Sequence, residues 1–328
     1  LHLYDDGANQ VNLYSVWKNF YDAATSIDGG YKRNVRQMSG SKGLEQLRSY
    51  NTFRDVCREL YAEWNTDLFQ IRLGKQIVSW GETSVARMTD IINPVDLRGN
   101  LNPAYPDFAE IKRGLYMARL FFTPQNQPMD MSYELLVIPD FEPDYVYPSG
   151  YHLNHGPGAQ GLQAPNEITL GWYRDKPNDV WKRPEIGLRI RGFVWGFDWT
   201  LLYFHHRADQ PIPENYKLLE SQLKPALGRR LNNVYEYGWQ HSYGFTFNKT
   251  VDAKIPLFPG TNLAMSGNVL RGEFLVEKGK QHTHIGDAPG RVGKPRQHDR
   301  YAFAIGWDTK IYIPGLTPWA RNKLLSSS

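Results

Sequence analysis

Between Val234 and Asn248 the chain reads VYEYGWQHSYGFTFN. Tyr235, Tyr237, Trp239, His241, Tyr243, Phe245 and Phe247 take every second position, and Glu236, Gly238, Gln240, Ser242, Gly244, Thr246 and Asn248 fill the gaps. A period of two marks a β-strand, whose side chains alternate between faces. Strands in globular proteins usually run for about 5–6 residues. An alternation kept for more than twice that length needs a sheet with two continuous and chemically opposite faces.

The same pattern recurs. Phe69, Ile71, Leu73 and Ile77 oppose Gln70, Arg72, Gly74 and Gln76; Ile186, Leu188 and Ile190 oppose Glu185, Gly187, Arg189 and Arg191; Tyr301, Phe303, Ile305, Trp307 and Ile311 oppose Ala302, Ala304, Gly306, Asp308 and Lys310. Further strands are predicted at Asn12–Tyr21, Arg58–Trp64, Leu115–Phe122, Met131–Ile138, Trp199–His206 and Leu263–Val276. Aromatics at 14% and the turn formers (29 Gly, 21 Pro) agree with an all-β chain. No window approaches the ~20 consecutive apolar residues of a membrane helix. The charge of +4 is mild and its Lys and Arg are dispersed, so nucleic acid is not an expected partner.

Connections alternate as well. Asn65-Thr66-Asp67, Gly196-Phe197-Asp198, Thr123–Pro128 and Pro314–Pro318 read as tight turns, and Val251–Thr261 as a longer one. Gly81–Arg113, Asp140–Arg183, Arg207–Asn233 and Glu277–Asp299 read as long loops, which are uncommon in compact soluble domains. Short turns alternating with long loops are the mark of an antiparallel transmembrane β-barrel, and this length predicts about 12 or more strands. A soluble β-sandwich or propeller would instead turn the alternate polar positions to bulk water, but such folds use shorter strands and loops. In lipid, backbone groups must all pair, which requires closure and strands long enough to cross the apolar layer. Residues 1–328 are read as one barrel domain, with 81–113 folded inward. The chain starts without Met and stops at LLSSS, so it is read as a portion of a longer protein.

The run RELYAEWNTDLFQIRLGKQIVSWGETSVARMTDIINPVDLRGNL, followed by LLVIPDFEPD, WGFDWTLLYF and VLRGEFLVE, resembles a family of uncharacterised Gram-negative outer-membrane proteins catalogued as domain of unknown function 1302. The resemblance runs in order from about Arg58 to about Pro318. It implies a large outer-membrane barrel, linked to export of lipid or hydrophobic compounds, with no catalytic residue assigned. Members usually continue to an aromatic C-terminus, so part of the barrel is expected to lie beyond this chain.

Lumen or constriction candidates follow from the polar faces: Arg72, Arg119, Glu134, Arg189, Arg191, Arg271 and Glu273, beside Glu59, Glu63 and Glu185. Mixed signs predict a cross-strand Arg–Glu network rather than a one-sign funnel, because unpaired desolvated charge is costly. Glu82, Arg87, Asp90, Asp96 and Arg98 in the inward loop would either line a constriction or brace the wall. Trp80 is predicted at the membrane interface. Tyr237, Trp239, Tyr243 and Phe245 are predicted outward, with Gln240, Ser242 and Gly244 inward.

Enzyme signals are lacking. There is no Gly-x-Ser-x-Gly, and His241 and Ser242 should point to opposite faces. His282 and His284 share a side but lack a third ligand, so neither a metal nor a cofactor is predicted. Cys57, the one cysteine, is read as a packed side chain. The expected surroundings are outer-membrane lipid and lipopolysaccharide in the bacterial outer membrane. Two function classes stay open: a porin-like channel or export conduit, and a non-conducting component that docks periplasmic or cell-surface proteins through its loops.

Overall fold

A computed structural model describes residues 2–19, 29–30, 32–33, 56–82, 88–96, 111–145, 180–209, 212–213, 235–258, 261–285 and 292–308. Strands β1 (His2–Asp5), β2 (Gln10–Trp17), β3 (Cys57–Asn65), β4 (Phe69–Gln76), β5 (Leu115–Phe122), β6 (Ser132–Ile138), β7 (Glu185–Val194) and β8 (Phe197–Arg207) follow one another, each antiparallel to the last. After a two-residue pair, β9 (Ile212–Pro213) and β10 (Tyr235–Glu236), come β11 (Trp239–Phe258), β12 (Thr261–Ile285) and β13 (Val292–Asp308). β11 pairs directly with β8, so β1–β8 and β11–β13 form one 11-stranded antiparallel meander. β1 and β13 stand at its two edges and are not paired to each other among the described residues.

Several boundaries differ from the sequence expectation. The β7–β8 turn is Trp195-Gly196, one residue earlier than predicted, with φ of 51° and 72°. Positive φ at both central residues is the tight hairpin geometry whose twist matches its strands. The predicted turn over Val251–Thr261 and loop over Glu277–Asp299 are largely strand, since β11 runs to Phe258 and β12 to Ile285. Their polar residues disguised ladders that extend past the apolar alternation.

Register assigns the faces. Arg72, Arg119, Leu136, Gly187, Phe204, Ser242 and Glu277 are successive cross-strand partners from β4 to β12, so they share one face. That inner face is largely buried over β5–β12, including Leu136, Phe204, Ser242, Thr246 and Glu273. The outer face is apolar and open: Leu73, Tyr116, Leu188, Leu201, Tyr243, Phe274 and Phe303 are all exposed.

The inner face is concave. Asn93 bonds to Gln76 on β4, while Thr89, four residues earlier, bonds to Glu273 on β12. From β4 to β12 is six strand steps, which would span about 29 Å in a flat sheet. Four residues of extended chain cover at most ~14 Å. Side-chain reach adds only a few ångströms at each end, so the sheet curls around the segment.

Candidate functional site

The segment leaving β4 is turned onto the inner face by one amide. Asn93 Oδ1 accepts the Val78 N–H (2.7 Å), and its Nδ2 donates to the carbonyls of Gln76 (3.1 Å) and Arg113 (2.7 Å). Val78, Trp80 and Ile92 then pack with Leu115, Met117, Leu136, Ile138, Leu202 and Phe204. Trp80 is 1% exposed. Its ring lies edge-on to Phe204, and a Cβ on Gly187 would stand 2.7 Å from it. Only glycine lets the indole approach β7 so closely. The interfacial position expected for Trp80 is therefore corrected: the inner face is not uniformly polar, and the indole fills its apolar part.

Glu273 fastens the same segment to β12. Its carboxylate accepts the Glu82 N–H (2.7 Å), the Thr89 N–H (2.9 Å) and the Thr89 hydroxyl (3.0 Å). Nearby, Arg271 donates to the Glu82 carbonyl (2.9 Å) and Asn248 to the Glu82 side chain (2.8 Å). Asp90 and Lys112 form a fully buried ion pair (2.5 Å), and the same ammonium donates to the Val78 carbonyl (3.0 Å) and the Ser79 hydroxyl (2.8 Å).

A second centre ties strands to one another. Glu134 on β6 lies between Arg119 on β5 (2.6 Å) and Arg189 on β7 (2.7 Å), and also accepts from the Trp80 indole N–H (3.3 Å). Arg72 pairs with Glu63 across β3–β4 (2.6 Å). Arg191–Asp198 (3.0 Å) and Arg271–Asp308 (2.8 Å) are more open pairs. The inner charges are thus mixed in sign: Arg72 and Arg119 stand directly opposite each other, and each pairs with a carboxylate on its other side. Arg271 and Glu273, two apart on β12, do not pair with each other, but both hold the inserted segment at Glu82, the arginine through its carbonyl and the glutamate through its N–H, and the arginine also pairs with Asp308.

Asp96 sits at the far end of the segment, bridged to Tyr145, with its N–H donating to the Ile111 carbonyl (2.6 Å). Arg87 and Arg98 lie outside the described residues. Beyond β8, burial first and the Asp144 and Glu185 carboxylates next push the Asp209 carboxyl well above the usual carboxylate range. Lys112 was not foreseen as a site residue. It lies at the end of the predicted inward loop 81–113, where no periodicity singles it out.

The opening stretch divides as expected from Trp239 onward. Gln240, Ser242 and Thr246 are buried on the inner face and Tyr243 is exposed on the outer one. Tyr237 departs from expectation: it precedes the ladder and is buried against Phe141. Ser242 meets an imidazole after all, but from the neighbouring strand: His206 Nε2 lies 2.9 Å from its hydroxyl. The serine is fully buried, and the pair joins β8 to β11. Among the described residues, no three His, Cys, Asp or Glu are placed to hold a metal ion.

No curated protein and no solved structure matches this chain. A family model does match, over residues 4–313, under the description protein of unknown function, DUF1302. A match over nearly the whole length settles the kinship: the chain belongs to the DUF1302 family.

Proposed function

We propose that this chain forms an outer-membrane β-barrel, acting as a porin-like channel or export conduit that residues 78–82 and 88–96 obstruct at rest. The observation that carries the reading is the contrast between faces. Apolar side chains stand exposed on the outer face from β3 to β13. Water-soluble monomers rarely expose apolar patches beyond a few hundred Å². Lipid removes that cost, and the polar, curled inner face then encloses the path. Strands of 8–11 residues over β3–β5, β7 and β8 suit an apolar layer that takes about 9–11. Withdrawal of the segment would leave Leu115, Met117, Leu136 and Leu202 beside the Arg–Glu pairs, a lining suited to amphipathic or lipid-like compounds.

The packing of Trp80 and Ile92 also favours a second reading, a permanently closed barrel that docks partner proteins. Two measurements on the native protein separate these. Heat-modifiable gel migration tests the barrel, and an unshifted band on boiling overturns it. Single-channel recording tests the conduit, with residues 82–92 intact or excised. Larger steady conductance after excision is expected. A heat-shifting protein that stays silent in both forms overturns the conduit in favour of the docking component.

A further inference from the structure

Register places three chemically graded rows on the outer face of β7, β8, β11 and β12. The row nearest mid-strand is Ile190, Leu201, Phe245 and Phe274, and the next is Leu188, Tyr203, Tyr243 and Val276. The third, towards the long-connection end, is Ile186, His205, His241 and Lys278. Rows two residues apart are separated by about 6.7 Å. Hydrocarbon, phenol and cation therefore succeed one another at spacings like those of acyl chain, ester region and phosphate in a lipid.

We propose that this third row binds the phosphate of a membrane lipid, with the lipid's chains lying on the two rows beneath. The proposal rests on the reading above that the outer face meets lipid. Directly opposed residues on neighbouring strands hold their Cβ atoms ~5 Å apart, so His205, His241 and Lys278 can address one phosphate together. His205 stacks between Trp239 (4.7 Å) and His241 (4.6 Å), which fixes its plane. The Tyr203 hydroxyl, 2.9 Å from His241 Nδ1, orients the second imidazole. His205 is partly exposed and Lys278 is exposed. Arg207, stacked over Trp239 at 4.6 Å, adds a cation just beyond the row. Glu277, the nearest carboxylate in sequence, points to the inner face, where Lys280 and Arg300 engage it. The patch is thus cationic and aromatic at the level where a phosphate would sit.

The test uses the native protein in zwitterionic detergent, with folding judged by heat shift. Native mass spectrometry would compare phosphatidylglycerol with phosphatidylcholine. Preferential retention of phosphatidylglycerol is expected, weakened roughly tenfold in His241→Gln/Lys278→Gln. It should survive in Lys278→Arg and in Lys249→Gln, which lies midway along β11, opposite Phe197 at the far end of β8. Equal retention by the double variant overturns the site. Displacement by millimolar inorganic phosphate also overturns it, as a site for free anions. A protein that shifts on heating but lacks lipid preference overturns the headgroup site alone, whereas one that does not shift overturns the barrel reading and the site with it.

Discussion

Glu134 and Glu273 are both buried carboxylates on the inner face, yet they hold different things. Glu134 is neutralised by two guanidiniums from the strands on either side. Glu273 accepts from two backbone N–H groups and a hydroxyl of an inserted segment. The first fastens wall to wall through two ion pairs and touches the segment only through the longer bond from the Trp80 indole (3.3 Å). The second fastens wall to plug, so its loss can release the segment while the sheet stays intact.

The strongest way to break this comparison is Glu134→Ala. It strands Arg119 and Arg189 in a buried site, a loss of about 3–5 kcal/mol. The temperature of the gel-migration shift should fall sharply, and an unchanged transition would remove Glu134 from the framework. Tyr243→Arg probes the outer face instead. It should cost about 2–4 kcal/mol if that position lies near the bilayer midplane. Urea titration in vesicles would report it, and indifference to the charge would mean that Tyr243 meets water. Glu273→Gln is milder, since the amide keeps the shape and loses charge-assisted bonds, about 1–3 kcal/mol. It should raise channel noise and hydrogen exchange at Glu82 and Thr89 before the sheet melts. Simultaneous loss of both would merge the two roles.

The smallest effect concerns Asp209. Its raised folded-state value means that the native state favours the proton. The stabilisation is complete below the unfolded value of about 4 and fades as pH rises through the folded one. The Asp144 N–H donates to the Asp209 carbonyl (3.0 Å), and Asp209→Asn should flatten that decline for this contact, read as hydrogen exchange of residues 139–145 against pH. A variant that still loses protection with rising pH would point to Glu185 or Asp144 instead.

The strand core of the fold was legible. Leu115–Phe122 matches β5 in full, and Arg119, Glu134 and Arg189 fall on the face their alternation assigns. Alternation speaks only of side, however, and not of what fills that side. Trp80 looks the same in a sequence whether it meets a headgroup or a glycine on a distant strand. Tyr237 continues the rhythm of β11 but stands before its ladder, where loop packing prevails. The Glu82–Glu273 contact joins residues far apart in the chain, and neither local pattern nor charge spacing encodes it.

The curl of the sheet around residues 78–82 and 88–96 also constrains the order of assembly. The segment leaves β4 early in the chain, yet its anchor on β12 arrives nearly two hundred residues later. Contacts so remote in sequence form slowly, because a long loop must close before they can reward it. Threading Trp80 onto the inner face of an already curled sheet would mean dragging an indole past the Arg–Glu pairs. Rolling the later strands over a segment already lying on β5–β8 avoids that passage. The Trp80–Gly187 contact should then form before Glu273 docks, so the plug is the mandrel on which the wall is wound.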